Sequence, residues 1–254
     1  MADHKSSNRF SRTEQLIGTK GMTTLRRARV AIAGLGGVGS FVVEALARAG
    51  IGWLILIDFD EIDLTNTNRQ IHALEGNYGR AKVEIMAERV KAINPDCIVI
   101  TWKEFVRKDN LPHLLHGALS YVVDAIDTVS SKIALIEYTI NRGIPIISAM
   151  GAGNKLDPLA FQVDDISKTH TCPLAKAVRK GLREKGITHG VKAVFSTEPA
   201  VTNGTKPLPD ENNQGCKECN CPLKRPVPGS ISYVPPIVGL IIAGEIIRDL
   251  LKKD

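Results

Sequence analysis

Residues 28–58 read ARVAIAGLGGVGSFVVEALARAGIGWLILID. Ala28–Ala33 is a short apolar run with β-branched members, the pattern of a buried strand. Gly34-Leu35-Gly36-Gly37-Val38-Gly39 follows without a spacer, Ser40–Ala49 has helical periodicity, and Trp53–Ile57 is a second buried strand that ends at Asp58. In a strand–turn–helix unit of this kind, backbone N–H groups at the helix N-terminus approach phosphates, and the helix dipole favours their charge. Gly34, Gly36, Gly37 and Gly39 form GxGGxG in that context, and Asp58 lies about 20 residues on, where an acid bonds ribose hydroxyls. The pattern predicts nucleotide binding. It does not separate NAD from ATP, and taken alone it also fits a tight structural turn.

Outward from this unit the alternation continues. Ala81–Ile93 reads as a helix, Cys97–Trp102 as a strand, Tyr121–Val123 as a strand ending at Asp124, Ser131–Arg142 as a helix, and Pro145–Ser148 as a strand. Arg12–Leu25 reads as a helical lead-in. Such alternation implies an α/β protein with a doubly wound, mainly parallel sheet and helices on both faces. After about Gly151 the pattern loosens into an irregular C-terminal subdomain. Thr202–Gly229 reads as a long loop, and Ile237–Leu251 as a closing helix. The expected organisation is one domain over 1–254, with a nucleotide-binding core over about 1–155 and a substrate-binding part over about 156–254.

A chain of 254 residues is long enough for one large α/β core. The formal net charge is +6 and the pI about 9.1, a modest hint of a polyanionic partner. The polar N-terminus lacks the apolar stretch of a signal peptide, and no run reaches the roughly 18 apolar residues of a spanning helix; a cytoplasmic protein with no membrane span is expected. The apolar run Ser230–Gly244 contains Pro235 and Pro236 and reads as a buried loop and helix.

The chemistry-bearing residues lie downstream of the glycines. Asp58 and Asp60 lead into Asn66-Thr67-Asn68-Arg69-Gln70; Lys82 follows in GRAKVE and Asp127 in VVDAIDT. Hydride transfer has no need of this set, but adenylation does. Attack of a carboxylate on the α-phosphate of ATP builds negative charge that Arg, Lys and Mg²⁺ stabilise. Asp127 is placed to hold the metal, and Asn and Gln orient phosphate oxygens. Lys168, Lys176, Arg179, Lys180, Arg183, Lys185 and Lys192 form a basic stretch opposed by one acid, Glu184. On charge alone that stretch also fits a solvated helix face.

The segments GLGGVGS, DFDEIDLTNTNRQ, GRAKVE and VVDAIDT resemble the E1-like (ThiF, MoeB and HesA type) adenylating superfamily. TNTNRQIHAL, RVKAINPDC, ISAMGAGNKLDP and DISKTHTCPLAKAVRKGLR are more specifically similar to the TcdA-type tRNA threonylcarbamoyladenosine dehydratase family, and the likeness spans nearly the whole chain. The resemblance implies a Rossmann-like fold and an enzyme that uses ATP to adenylate the threonine carboxylate of N6-threonylcarbamoyladenosine beside the tRNA anticodon. The carbamoyl group of the side chain then closes a ring, and the net change is loss of water. It further implies that Asp58 binds ribose, that Asn66, Asn68, Arg69 and Lys82 contact phosphates, and that Asp127 holds Mg²⁺. By the same likeness Arg12 reaches the ATP site of a partner copy, so a homodimer is expected; on the residues alone Arg12 is equally a surface residue. The basic stretch becomes a tRNA surface, with salt-sensitive binding. Whether a sulfur-transfer or redox partner protein assists is left open by the sequence.

One departure bears on the mechanism. Some members of the family carry a C-terminal cysteine, whereas here the stretch reads Pro228-Gly229-Ser230-Ile231-Ser232-Tyr233-Val234. Direct cyclisation of the adenylate is therefore expected, with no thioester at this position. Cys216, Cys219 and Cys221 instead form CxxCxC, with Cys172 a candidate fourth thiolate for Zn²⁺ or an iron–sulfur cluster. Free thiols or a nucleophile among them are the alternatives. His72 reads as a substrate contact or a packed histidine. Two other functions compete: an adenylyltransferase that activates the C-terminus of a ubiquitin-like sulfur carrier protein, and an NAD(P)-binding oxidoreductase or nucleotide sensor, against which Arg69, Lys82 and Asp127 argue.

Overall fold

The computed structural model describes residues 8–201 and 228–252; Cys216, Cys219 and Cys221 lie outside them. A lead-in helix α1 (Ser11–Arg27) is followed by β1 (Arg29–Ala33), α2 (Gly39–Ala49), β2 (Trp53–Ile57), α3 (Lys82–Ile93), β3 (Ile98–Trp102), α4 (Leu111–Leu114), β4 (Tyr121–Asp124), α5 (Val129–Ile140) and β5 (Ile146–Ala149). After β6 (Phe161–Asp165), α6 (Pro173–Arg183) and β7 (Lys192–Ser196), the helix α7 (Val234–Lys252) closes the chain.

These strands form a single sheet in the order β3-β2-β1-β4-β5-β7-β6. All pairings are parallel except β6 with β7. The strand order reverses between β1 and β4, and in such sheets ligands bind outside the carboxyl ends of the strands at that switch point. The β6–β7 pair extends the same sheet, so residues on both sides of about residue 155 share it. That pair was not expected from sequence, because β6 (FQVDD) ends in two acids and sits on the sheet edge.

The central strands are apolar along their whole length because both faces are covered. One layer joins Val30, Ile32, Leu54 and Leu56 to α2, α3 and α7; the other joins Ala31, Ala33, Val122 and Ile146 to α5 and α6. Helix α7 lies closely on α2: a Cβ at Gly239 would come within 2.5 Å of the Val38 carbonyl oxygen. Its far end is pinned by charge, with Asp249 accepting from Tyr121 Oη at 2.9 Å and from Lys192 Nζ at 2.5 Å. Among the described residues no helix is long and apolar enough to cross a membrane.

Asn154 adopts a left-handed backbone (φ 56°). Its N–H donates to Gly229 O at 2.8 Å, its Oδ1 accepts from Gly229 N–H at 2.7 Å, and its carbonyl accepts from Val201 N–H at 2.8 Å. One residue thus holds both flanks of the connection between Val201 and Gly229.

Candidate active site

The carboxyl ends of β1, β2 and β4 gather most of the candidate residues. The glycine turn leaves β1 at Gly34, whose φ of 89° suits glycine and whose Cβ, if present, would meet the Ala125 carbonyl oxygen at 2.6 Å. At Gly39 a Cβ would come within 1.8 Å of the Gly34 oxygen. The turn is therefore drawn tight against the β4–α5 loop, and only glycine fits at these two positions. Gly36, Gly37 and Val38 lead into the N-terminus of α2, where backbone N–H groups and the helix dipole favour an anion.

Asp58 follows β2 and is 8% exposed. Its Oδ2 accepts from Leu35 N–H at 2.6 Å and its Oδ1 from Asp60 N–H at 2.9 Å, so it braces the glycine turn from below. Burial pushes its carboxyl above the usual range, against the pull of Lys82 and the two backbone donors. Asp60 pairs with Lys82 at 2.7 Å.

The NTNRQ segment lies against the turn. Asn66 is buried and forms a reciprocal cap with Asp63, its Oδ1 accepting from Asp63 N–H at 3.1 Å. Asn68 Nδ2 donates to Ser230 O at 3.0 Å, and Asn68 Oδ1 accepts from Arg69 at 2.9 Å. Arg69 also donates to Thr65 O at 2.8 Å. Its Cγ would lie 3.2 Å from a Cβ at Gly37, and Gln70 Nε2 3.9 Å from one at Gly36. Partial burial lowers the Arg69 pKa, but a guanidinium stays charged.

Several buried polar atoms here lack a protein partner: Ser40 Oγ, Gln70 Oε1, Ser230 Oγ and both ring nitrogens of His72. His72 is 1% exposed, and burial with the nearby charges of Lys82 and Arg89 lowers its pKa to about 4. It is a covered, neutral imidazole, as the packed reading of it requires. Unpartnered buried polar groups cost about 1–3 kcal/mol each, so Ser40, next to Gly39, and Gln70, which faces Gly36, mark a place for a ligand or ordered water at the turn.

Asp127 follows β4, across the switch point from the glycine turn, and is exposed. Thr128 Oγ1 donates to it at 3.3 Å. An open carboxylate here suits Mg²⁺, which keeps several waters and binds through one or two carboxylates plus phosphates.

Three sets of candidates lie elsewhere. Arg12 is exposed on the first turn of α1. That helix begins where Phe10 lies 3.5 Å from a Cβ at Gly50, beyond the end of α2 remote from the glycine turn. Lys176, Lys180 and Arg183 share one exposed face of α6, opposite buried Ala175, Val178 and Leu182. Arg179 is partly covered and donates to Thr169 O at 2.6 Å, and Lys168 pairs with Asp164 at 3.0 Å. Cys172 is 4% exposed at the N-cap of α6, with its Sγ 3.4 Å from a Cβ at Gly151. Among the described residues no group of three potential metal ligands forms.

Sequence reasoning missed the ion pair of Lys132 with Asp124, both 0% exposed and 2.7 Å apart. The available signal was an acid at a strand's end with a lysine eight residues on, but such a lysine ordinarily reads as solvated.

The ThiF family model matches residues 10–254. The tRNA threonylcarbamoyladenosine dehydratase of Bacillus subtilis is 45% identical over 96% of this chain and 95% of its own. That of Escherichia coli is 40% identical, covering 96% and 94%. A crystal structure of the Escherichia coli enzyme, TcdA, in complex with ATP superposes with a TM-score of 0.84 at 39% identity, covering 96% of this chain and 94% of that one. The chain belongs to the ThiF family of E1-like adenylating enzymes and, within it, to the tRNA threonylcarbamoyladenosine dehydratases.

Proposed function

We propose that the protein binds ATP at the β1/β4 switch point, adenylates the threonine carboxylate of N6-threonylcarbamoyladenosine in a tRNA anticodon loop, and releases pyrophosphate as it does so. The carbamoyl group, already on the same side chain, then attacks the acyl-adenylate, AMP leaves, and the ring closes with net loss of water. Proximity makes an external nucleophile unnecessary. The observation that carries this reading is the convergence of a glycine turn, Arg69, Gln70, Lys82 and Asp127 around the carboxyl ends of β1, β2 and β4.

In this scheme Asp58 orients the turn and the ribose. Asn66 and Asn68 hold the NTNRQ loop, from which Arg69 and Gln70 reach the phosphates. Lys82 exchanges Asp60 for a phosphate oxygen. Asp127 holds Mg²⁺, which when bound neutralises part of the triphosphate charge. Lys176, Lys180 and Arg183 on α6 take tRNA phosphates, while Lys168 and Arg179, already paired within the chain, contribute less. The placement of Arg12 beyond the far end of α2 favours action in a partner copy's site over its own, hence a homodimer. The reaction belongs in the cytoplasm, with its tRNA. A zinc held by Cys172, Cys216, Cys219 and Cys221 requires Cys172 to turn out of its packed position; elemental analysis of the purified protein decides that point.

The test is pyrophosphate release from ATP with and without tRNA bearing the threonylcarbamoyl group, followed by mass analysis of the recovered nucleoside. Release that depends on this tRNA, with loss of one water from the nucleoside, is expected. Release only with a ubiquitin-like carrier would transfer the protein to the sulfur-carrier function.

A further inference from the structure

Asp124 and Lys132 sit without solvent exposure in the apolar layer formed by Ala31, Ala33, Val122 and Ile146. A buried ion pair recovers its desolvation only with excellent geometry and further hydrogen bonds, and this pair has them. Asp124 Oδ2 accepts from Lys132 Nζ at 2.7 Å and from Ser148 Oγ, while Asp124 Oδ1 accepts from Ile126 N–H at 3.2 Å. Lys132 Nζ also donates to Ser148 Oγ at 3.3 Å and to Ala149 O at 2.9 Å.

The consequence is a brace around the β4–α5 loop. Asp127 lies between Ile126, held by Asp124, and Thr128, whose carbonyl accepts from Lys132 N–H at 3.0 Å. The same ammonium fixes Ala149, the last residue of β5, from which the Met150–Gly151 segment departs. One side chain therefore sets the exits of two adjacent strands relative to each other.

We propose that Asp124, Lys132 and Ser148 are positioning residues that hold the Asp127 loop in register with the β5 exit, so that Asp127 would present its carboxylate at a fixed place to the Mg²⁺ that accompanies ATP. The proposal rests on the nucleotide reading above. The charges never touch substrate; they act by keeping Asp127 from drifting.

The test uses Ser148→Ala and the paired variant Asp124→Asn/Lys132→Met, which removes both charges together and leaves neither buried alone. For each, calorimetry gives the affinity for ATP with EDTA and with Mg²⁺, thermal melting gives stability, and pyrophosphate release gives kcat and the KM for tRNA. In the paired variant the gain in affinity from Mg²⁺ is expected to shrink by about tenfold or more, as for other residues that support a metal ligand, and kcat to fall with it at unchanged KM for tRNA. A smaller loss in the same direction is expected for Ser148→Ala, which decides alone if the paired variant does not fold. A lower melting temperature with wild-type Mg²⁺ enhancement and wild-type kcat would overturn the proposal and leave the network purely structural. Failure of the wild-type protein to bind ATP at all is a separate result and strikes the nucleotide reading instead.

Discussion

The Lys82 ammonium lies 2.7 Å from the Asp60 carboxylate, and only the acid is open: the lysine side chain is 6% exposed, the aspartate 44%. The lysine is thus held in place by the acid. Lys82→Ala is expected to lower ATP-dependent pyrophosphate release by about 100-fold or more, the scale for a donor aimed at developing charge. Because one partner is well exposed, the lost pair changes stability by only about 1 kcal/mol. Parallel turnover and melting measurements separate the two effects; near-normal turnover removes Lys82 from the site.

Arg69 is oriented by its own loop, through Thr65 O and Asn68 Oδ1. A planar guanidinium keeps those bonds and still presents other N–H groups, which an ammonium cannot reproduce. Arg69→Lys should therefore lose most of the activity that Arg69→Ala loses, with circular dichroism unchanged for both. Full activity in the lysine variant would mean that charge alone is enough there.

Lys176, Lys180 and Arg183 share one face of α6, whereas Arg179 is committed to Thr169. Reversing the three exposed charges to Glu should weaken tRNA binding across sequences and flatten its salt dependence by about one unit of slope per lost phosphate contact. Binding measured over several salt concentrations checks this, and an unchanged slope excludes the face. Arg179→Glu should instead lower the melting temperature, since it unties the start of α6.

His72 titrates near 4 in the fold, against about 6.5 when unfolded. Between those values the unfolded chain takes up a proton that the native state refuses. Stability contributed by neutral His72 is thus present above about pH 6.5 and declines as pH falls, by up to about 1.4 kcal/mol per unit, levelling off near 4. The difference in stability between the wild type and His72→Gln, followed by denaturant unfolding from pH 7 to 4, isolates this slope. A pH-independent difference would show the imidazole to be titrating normally.

The parallel core was legible because its strands are short uninterrupted apolar runs and GLGGVG can do little else between a strand and a helix. Trp53–Ile57 fell on its observed bounds for that reason. The sequence offered the NTNRQ segment as candidate chemistry and gave no sign of its architecture. Nothing in the order of its letters tells that Asn66 is used to cap a turn while Asn68 reaches Ser230, more than 100 positions away. β7 escaped notice because KAVFS sits at the end of a basic stretch, and the ion pair because a lysine's partner is set by the strand beneath it. Local pattern encodes burial and period; long-range polar pairing depends on topology, which must be known first.

Asn154 gives the chain a neck. Val201 and Gly229, far apart in sequence, are tied to the same residue, so the two flanks are held together. A change at Asn154 therefore reaches Val201 and Gly229 together, and through the neighbouring Ser230 it reaches Asn68 as well.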